Sequence, residues 1–129
     1  MVVANGGYVG IGTAGPAEKL HVTGNVQADT YLYNSSREYK QNIEPLSTDN
    51  ALKAFKELNP VTFSFKTDPN SQQLGFIAEE IPDLAAVKNR KSVDPMKIIA
   101  ILAKVGQKQQ EEIQDLRRRL DELQAIIED

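Results

Sequence analysis
From Asp94 to the end of the chain, apolar positions return at alternating three- and four-residue intervals. Ile99, Leu102, Ile113, Leu116, Leu120, Leu123 and Ile127 fall on heptad positions a and d, with Gly106 and Gln109 filling the intervening slots. This seam predicts one long helix over 94–129 that pairs as a coiled coil, with Asp94 as its N-cap and Pro95 in its first turn. Such a helix reaches about 50 Å at 1.5 Å per residue. Ile at a with Leu at d favours parallel dimers in simple coils, so the seam alone does not specify a trimer. Gly106 and Gln109 weaken its middle, Glu112 at g and Arg117 at the next e are placed to pair between neighbours, and Arg117–Arg119 reads as a solvated face.

The patterning before Asp94 is different. Residues 1–34 alternate short β-prone runs, Val2–Ala4, Tyr8–Ile11, Leu20–Val22 and Val26–Tyr33, with Gly and Pro punctuation, which predicts short strands and no helix. So few apolar residues predict a segment that leans on copies of itself or on a larger N-terminal body. Gly10 and Gly12 read as a tight β path, because no Gly-Lys-Ser/Thr and no helix follow them. Farther on, Leu52, Phe55 and Leu58 recur every three residues and predict a helix before Pro60, with N-cap candidates between Pro45 and Asn50. Val61, Phe63 and Phe65 then alternate with polar residues as a half-buried strand. A polar loop through Asp68–Ser71 and a second strand at Leu74–Ala78 complete a β-hairpin with a long connection. The fold class expected is α+β: a short β-rich segment (1–34), a small helix/β-hairpin core (35–93) and a long coiled-coil helix (94–129).

Composition narrows the function. With 129 residues, a large share of them in an elongated helix, the chain is short of core, and oligomerisation is expected. A formal net charge of -3 argues against nucleic acid as a partner, and Lys88–Lys91 is too short a basic cluster to reverse that; it reads as a solvated loop. No window suits a membrane span, and Met1, followed by no basic-then-apolar leader, reads as the start of an expressed fragment. The lack of cysteine excludes disulfides and thiol catalysis, and the single His21 sits in a strand-like run where a structural role is expected; no metal or cofactor is anticipated. Glu79 and Glu80, adjacent in the chain, diverge and read as a solvated pair.

One stretch carries candidate chemistry. Asn34-Ser35-Ser36-Arg37-Glu38-Tyr39-Lys40-Gln41-Asn42-Ile43 places two serines within five residues of a lysine, between the stalk-like segment and the rest. A serine hydroxyl needs a base, and a lysine serves only with its amine unprotonated. Bringing a lysine from about 10.4 to near 7 requires burial or a neighbouring positive charge, at roughly 4–5 kcal/mol. Local sequence does not supply that environment, whereas packing between subunits would. The first carbonyl in reach is that of Asn34, so the natural reaction is attack on the chain itself. Residue chemistry leaves a polar linker between two modules as the alternative.

Ser35–Ile43, followed by Leu74-Gly75-Phe76-Ile77-Ala78-Glu79-Glu80 and the terminal helix, resembles the intramolecular chaperone domain of endosialidase tailspikes, over about residues 35–129. That self-cleaving family stands at the C-termini of phage tail spikes and fibres, of some bacterial surface proteins and of the myelin regulatory factor. Tyr8–Thr13 with Lys19–Val22 is similar to the β-rich stalk that often precedes it. The resemblance implies a homotrimer that registers and folds the β-rich N-terminal body of its own precursor, then leaves by self-cleavage. It implies a precursor made in the host cytoplasm, with the chaperone part absent from the mature particle. The family pattern Ser-Asp-x-Arg-x-Lys, carried over, makes Ser35 the nucleophile, Lys40 the base and Asn34–Ser35 the cleaved bond. This chain has Ser36 in place of the acidic residue and Glu38 in place of the arginine. A non-cleaving trimeric tip or adhesion module is the alternative function.

Overall fold
In the computed structural model, which describes residues 1–128, strands β1 (Val2–Ala4), β2 (Tyr8–Ile11) and β3 (Leu20–Val22) form one sheet in the order β1-β2-β3. β1 and β2 pair antiparallel, Val3 opposite Val9, and β2 and β3 pair parallel, Gly10 opposite His21. The path from β2 to β3 is short for a parallel connection. Two glycines permit it: a Cβ on Gly10 would lie 2.4 Å from the Thr13 carbonyl oxygen, and Gly12 has φ +75 and faces the Thr23 carbonyl. His21 Nδ1 accepts from the Ala17 N–H at 3.2 Å, the structural use expected of it. Lys19 Nζ donates to the Gly6 carbonyl at 2.7 Å and lies 4.2 Å from the centre of the Tyr8 ring. Val26–Tyr33, expected as a strand, forms none: its residues are exposed and pair with no strand among the described residues.

These strands belong to one compact unit, Met1–Ile43, and a second begins at Glu44. In the second unit, helix α1 (Thr48–Glu57) is N-capped by Ser47, whose hydroxyl accepts from the Asn50 N–H. Its core side differs from expectation. Ala51 and Ala54 are buried, Leu52 and Leu58 are half-buried beside them, and Phe55 is exposed; the alanines share the core with Ile98, Ile101 and Val105 of helix α2 (Pro95–Glu128). Strands β4 (Val61–Phe65) and β5 (Asp68–Gly75) make the expected hairpin. Its connection is short, a turn at Lys66-Thr67, and not the long polar loop predicted through Ser71. The polar run 68–73 is strand because a two-stranded ribbon exposes both faces to water, and Pro69 is tolerated on an edge. β5 ends at Gly75, three residues before the expected end of the second strand at Ala78, and Ala78–Glu80 form a 3₁₀ turn.

The core of this unit is Ala51, Ala54, Ile81, Ala85, Ile98, Ile101 and Val105. The α2 contribution comes from one stripe, Ile98, Ile101 and Val105, each worth roughly 1.5–3 kcal/mol for full burial. Asp94 Oδ1 accepts from the Met96 N–H at 2.9 Å, as the capping signal predicted. The segment 81–93 is held by Arg90, which donates through Nη1 to the Ile81 carbonyl at 2.7 Å and through Nη2 to Asp83. Lys88–Lys91 is therefore not simply a solvated cluster: Arg90 is turned inward, and Lys91 pairs with Glu79. The architecture is mixed α+β, with two small sheets and a long C-terminal helix. No helix among the described residues is long and apolar enough to cross a membrane.

Candidate active site
Five extended residues would separate Ser35 from Lys40 by about 17 Å. The chain shortens that span with a single 3₁₀ turn, Arg37–Tyr39. Ser36 enters it in extended conformation, φ -61 and ψ 146, and Lys40 leaves it extended, φ -121 and ψ 153. Two backbone bonds define the turn, Tyr39 N–H to the Ser36 carbonyl and Lys40 N–H to the Arg37 carbonyl, both at 3.1 Å. A third closes its open end: the Ser36 hydroxyl oxygen accepts from the Glu38 N–H at 3.3 Å. Asn42, at φ 54, then turns the chain away.

With the backbone folded this way, Lys40 Nζ lies 2.6 Å from Ser35 Oγ. One heavy-atom contact serves two protonation states. An ammonium donates to the hydroxyl, and a neutral amine accepts the hydroxyl proton. Ser35, Lys40 and the preceding Asn34 are all exposed in the single chain, and Asn34 lies outside any helix or strand. The Ser36 hydroxyl accepts within the turn, so the two serine hydroxyls make different contacts.

Other sequence candidates are used structurally. Glu79 accepts from Lys91 at 3.2 Å, and its carboxyl is held below the usual glutamate range, first by a backbone N–H bond and then by Lys91. Along α2, the hydrogen bond from Arg118 first, and then the charge of Arg119 at 3.0 Å, hold the Asp115 carboxyl low; Arg118 also reaches Glu122 at 3.2 Å. Two of the three arginines thus neutralise acids on their own helix, in keeping with a solvated face.

Two features escaped sequence reasoning. One is the Ser36 cap, whose signal was the serine itself, placed where N-caps stand. The other is an open apolar groove of about 620 Å³ in the second unit, lined by Phe63, Phe65, Phe76, Ile98 and Ile99 with Glu79 and Lys91 at its rim. It gathers side chains from β4, the segment after β5 and α2, a juxtaposition that no local pattern encodes.

Set beside known families, residues 35–87 match the family model Peptidase_S74, chaperone of endosialidase. The match opens at Ser35.

Proposed function
Because the segment 35–87 belongs to the endosialidase-chaperone family, a family of serine-peptidase type, we propose that this chain is a C-terminal intramolecular chaperone that trimerises and then releases itself by cutting Asn34–Ser35. The observation that carries the reading is the 2.6 Å approach of Lys40 Nζ to Ser35 Oγ, beside the backbone where the family match begins.

In the proposed reaction, the Ser35 hydroxyl attacks the Asn34 carbonyl carbon while Lys40, as a neutral amine, takes its proton. The tetrahedral intermediate collapses with cleavage of the Asn34–Ser35 C–N bond, and the Lys40 ammonium returns the proton to the departing Ser35 nitrogen. An ester now joins Asn34 to Ser35 Oγ. Water hydrolyses it, leaving an Asn34 carboxylate and a product that begins at Ser35. Each chain turns over once.

Timing comes from assembly. The exposed heptad side chains of α2 support its reading as the self-association element, on this proposal a parallel coiled coil of three copies. Removing water from a lysine amine favours its uncharged form, so closure of the trimer around this stretch arms the base. Cleavage then reports that the stalk before it has been registered. On this reading the parent is a tail spike or fibre protein made in the host cytoplasm, and the chaperone part is absent from the mature particle.

The test is Ser35→Ala and Lys40→Arg in the full chain, followed by denaturing gels and mass spectrometry of the product termini. Wild type should yield a fragment beginning at Ser35, and both variants should stay whole, since arginine cannot serve as a base. Wild-type trimer that stays whole would point instead to a non-cleaving trimeric tip.

A further inference from the structure
We propose that Ser36 is a positioning residue for this cleavage, acting through the turn that carries Lys40 to Ser35; the inference rests on the peptidase reading above. No residue of the Arg37–Tyr39 turn is buried, so packing within the chain does not hold it. The turn has three hydrogen bonds of its own, two between backbone groups and the one from the Glu38 N–H to the Ser36 hydroxyl, and the Lys40–Ser35 contact spans it from outside. A lone 3₁₀ turn is marginal in water because few bonds offset the ordering of its backbone. Only one of the three bonds depends on a side chain, and that side chain is Ser36. When the turn opens, Lys40 swings away along an extended chain and Ser35 loses its base. The cleavage rate is therefore set in part by the fraction of chains with the turn closed. Ser36 touches neither reacting atom; it acts on where Lys40 Nζ stands.

This assignment separates the two adjacent serines by task, Ser35 as nucleophile and Ser36 as cap. It also predicts which replacements position 36 accepts. Asparagine caps as well as serine and adds no charge near Lys40, whereas alanine removes the acceptor.

The experiment compares wild type, Ser36→Ala, Ser36→Asn and Ser35→Ala as full chains. Trimer content is read by sedimentation, cleavage rate by gel across a pH series, and the cut site by mass. Ser36→Ala should trimerise like wild type, cut at the same bond, and slow by roughly fivefold, as loss of one cap implies. The slowing should be by the same factor at every pH, because a smaller closed fraction scales the whole rate. Ser36→Asn should return to near the wild-type rate. The inference is overturned if Ser36→Ala cuts at the wild-type rate, if Ser36→Asn is as slow as Ser36→Ala, or if the product begins at Ser36. Cleavage of Ser35→Ala, or a wild type that never cuts, would instead remove the peptidase reading, and this inference with it.

Discussion
Ile98 and Ile99 are consecutive in the chain and have opposite surroundings: Ile98 is 5% exposed in the core against α1, and Ile99 is 53% exposed at the head of the heptad seam. The first turns of α2 thus carry two apolar stripes side by side. Ile98, Ile101 and Val105 are spent within the chain, while Ile99 and Leu102 continue into the seam that runs to Ile127. Substitutions on the two stripes should therefore fail in different ways.

Ile101→Ala removes a side chain that is 2% exposed and should lower the stability of the second unit by about 2–5 kcal/mol, by lost burial and the cavity left behind. Leu120→Ala, at a position 64% exposed in the single chain, should leave that unit's packing intact and weaken self-association. Chemical denaturation at several protein concentrations, with sedimentation of both variants, checks this. A concentration-independent loss in Leu120→Ala would contradict it.

Arg90 should matter through a carbonyl more than through a carboxylate. Its bond to the Ile81 carbonyl closes the segment that delivers Ile81 and Ala85 to the core, whereas its partner Asp83 is 98% exposed. Arg90→Ala is expected to cost about 1–2 kcal/mol, and Asp83→Ala to stay close to wild type. Urea midpoints of the two variants decide between the contacts; equal losses would show that the ion pair governs.

Gly10→Ala should disrupt the N-terminal sheet selectively. A methyl group there meets the Thr13 carbonyl oxygen at 2.4 Å, backbone that cannot yield without breaking the β2–β3 register. Amide hydrogen exchange on the full chain should show protection lost across residues 8–11 and 20–22 and kept in α1 and α2. Unchanged protection in the sheet would refute the steric account.

The Glu79 carboxyl, held low by a backbone N–H and by Lys91, gives a pH prediction with a definite sign. A depressed folded-state value means that its contribution is complete above the unfolded value and is lost as pH falls through the folded one. A carbon-detected titration should place its midpoint below that of an ordinary glutamate. Lys91→Ala should raise the midpoint only part of the way, because the backbone bond remains. A full return to the ordinary value would show that Lys91 is the whole cause.

Local signals in the sequence determined a good deal. Asp94-Pro95 set the start of α2, since a cap and a proline act on the few backbone groups beside them. The alternation of Val61, Phe63 and Phe65 gave β4, and the spacing of Ser35 and Lys40 marked the stretch worth attention. Where the strands and contacts depend on distant partners, pattern reading failed. The polar run 68–73 became strand because β4 pairs with it, and Val26–Tyr33 stayed unpaired for want of such a partner. Alanines took the core side of α1 because that face meets Ile98, Ile101 and Val105 of α2, a partner that helical periodicity does not contain. Arg90 turned inward because the Ile81 carbonyl needed a donor. Sequence spacing brought Ser35 and Lys40 into question; the 3₁₀ turn capped by Ser36 decided that they meet, because only the folded backbone fixes where a side chain ends.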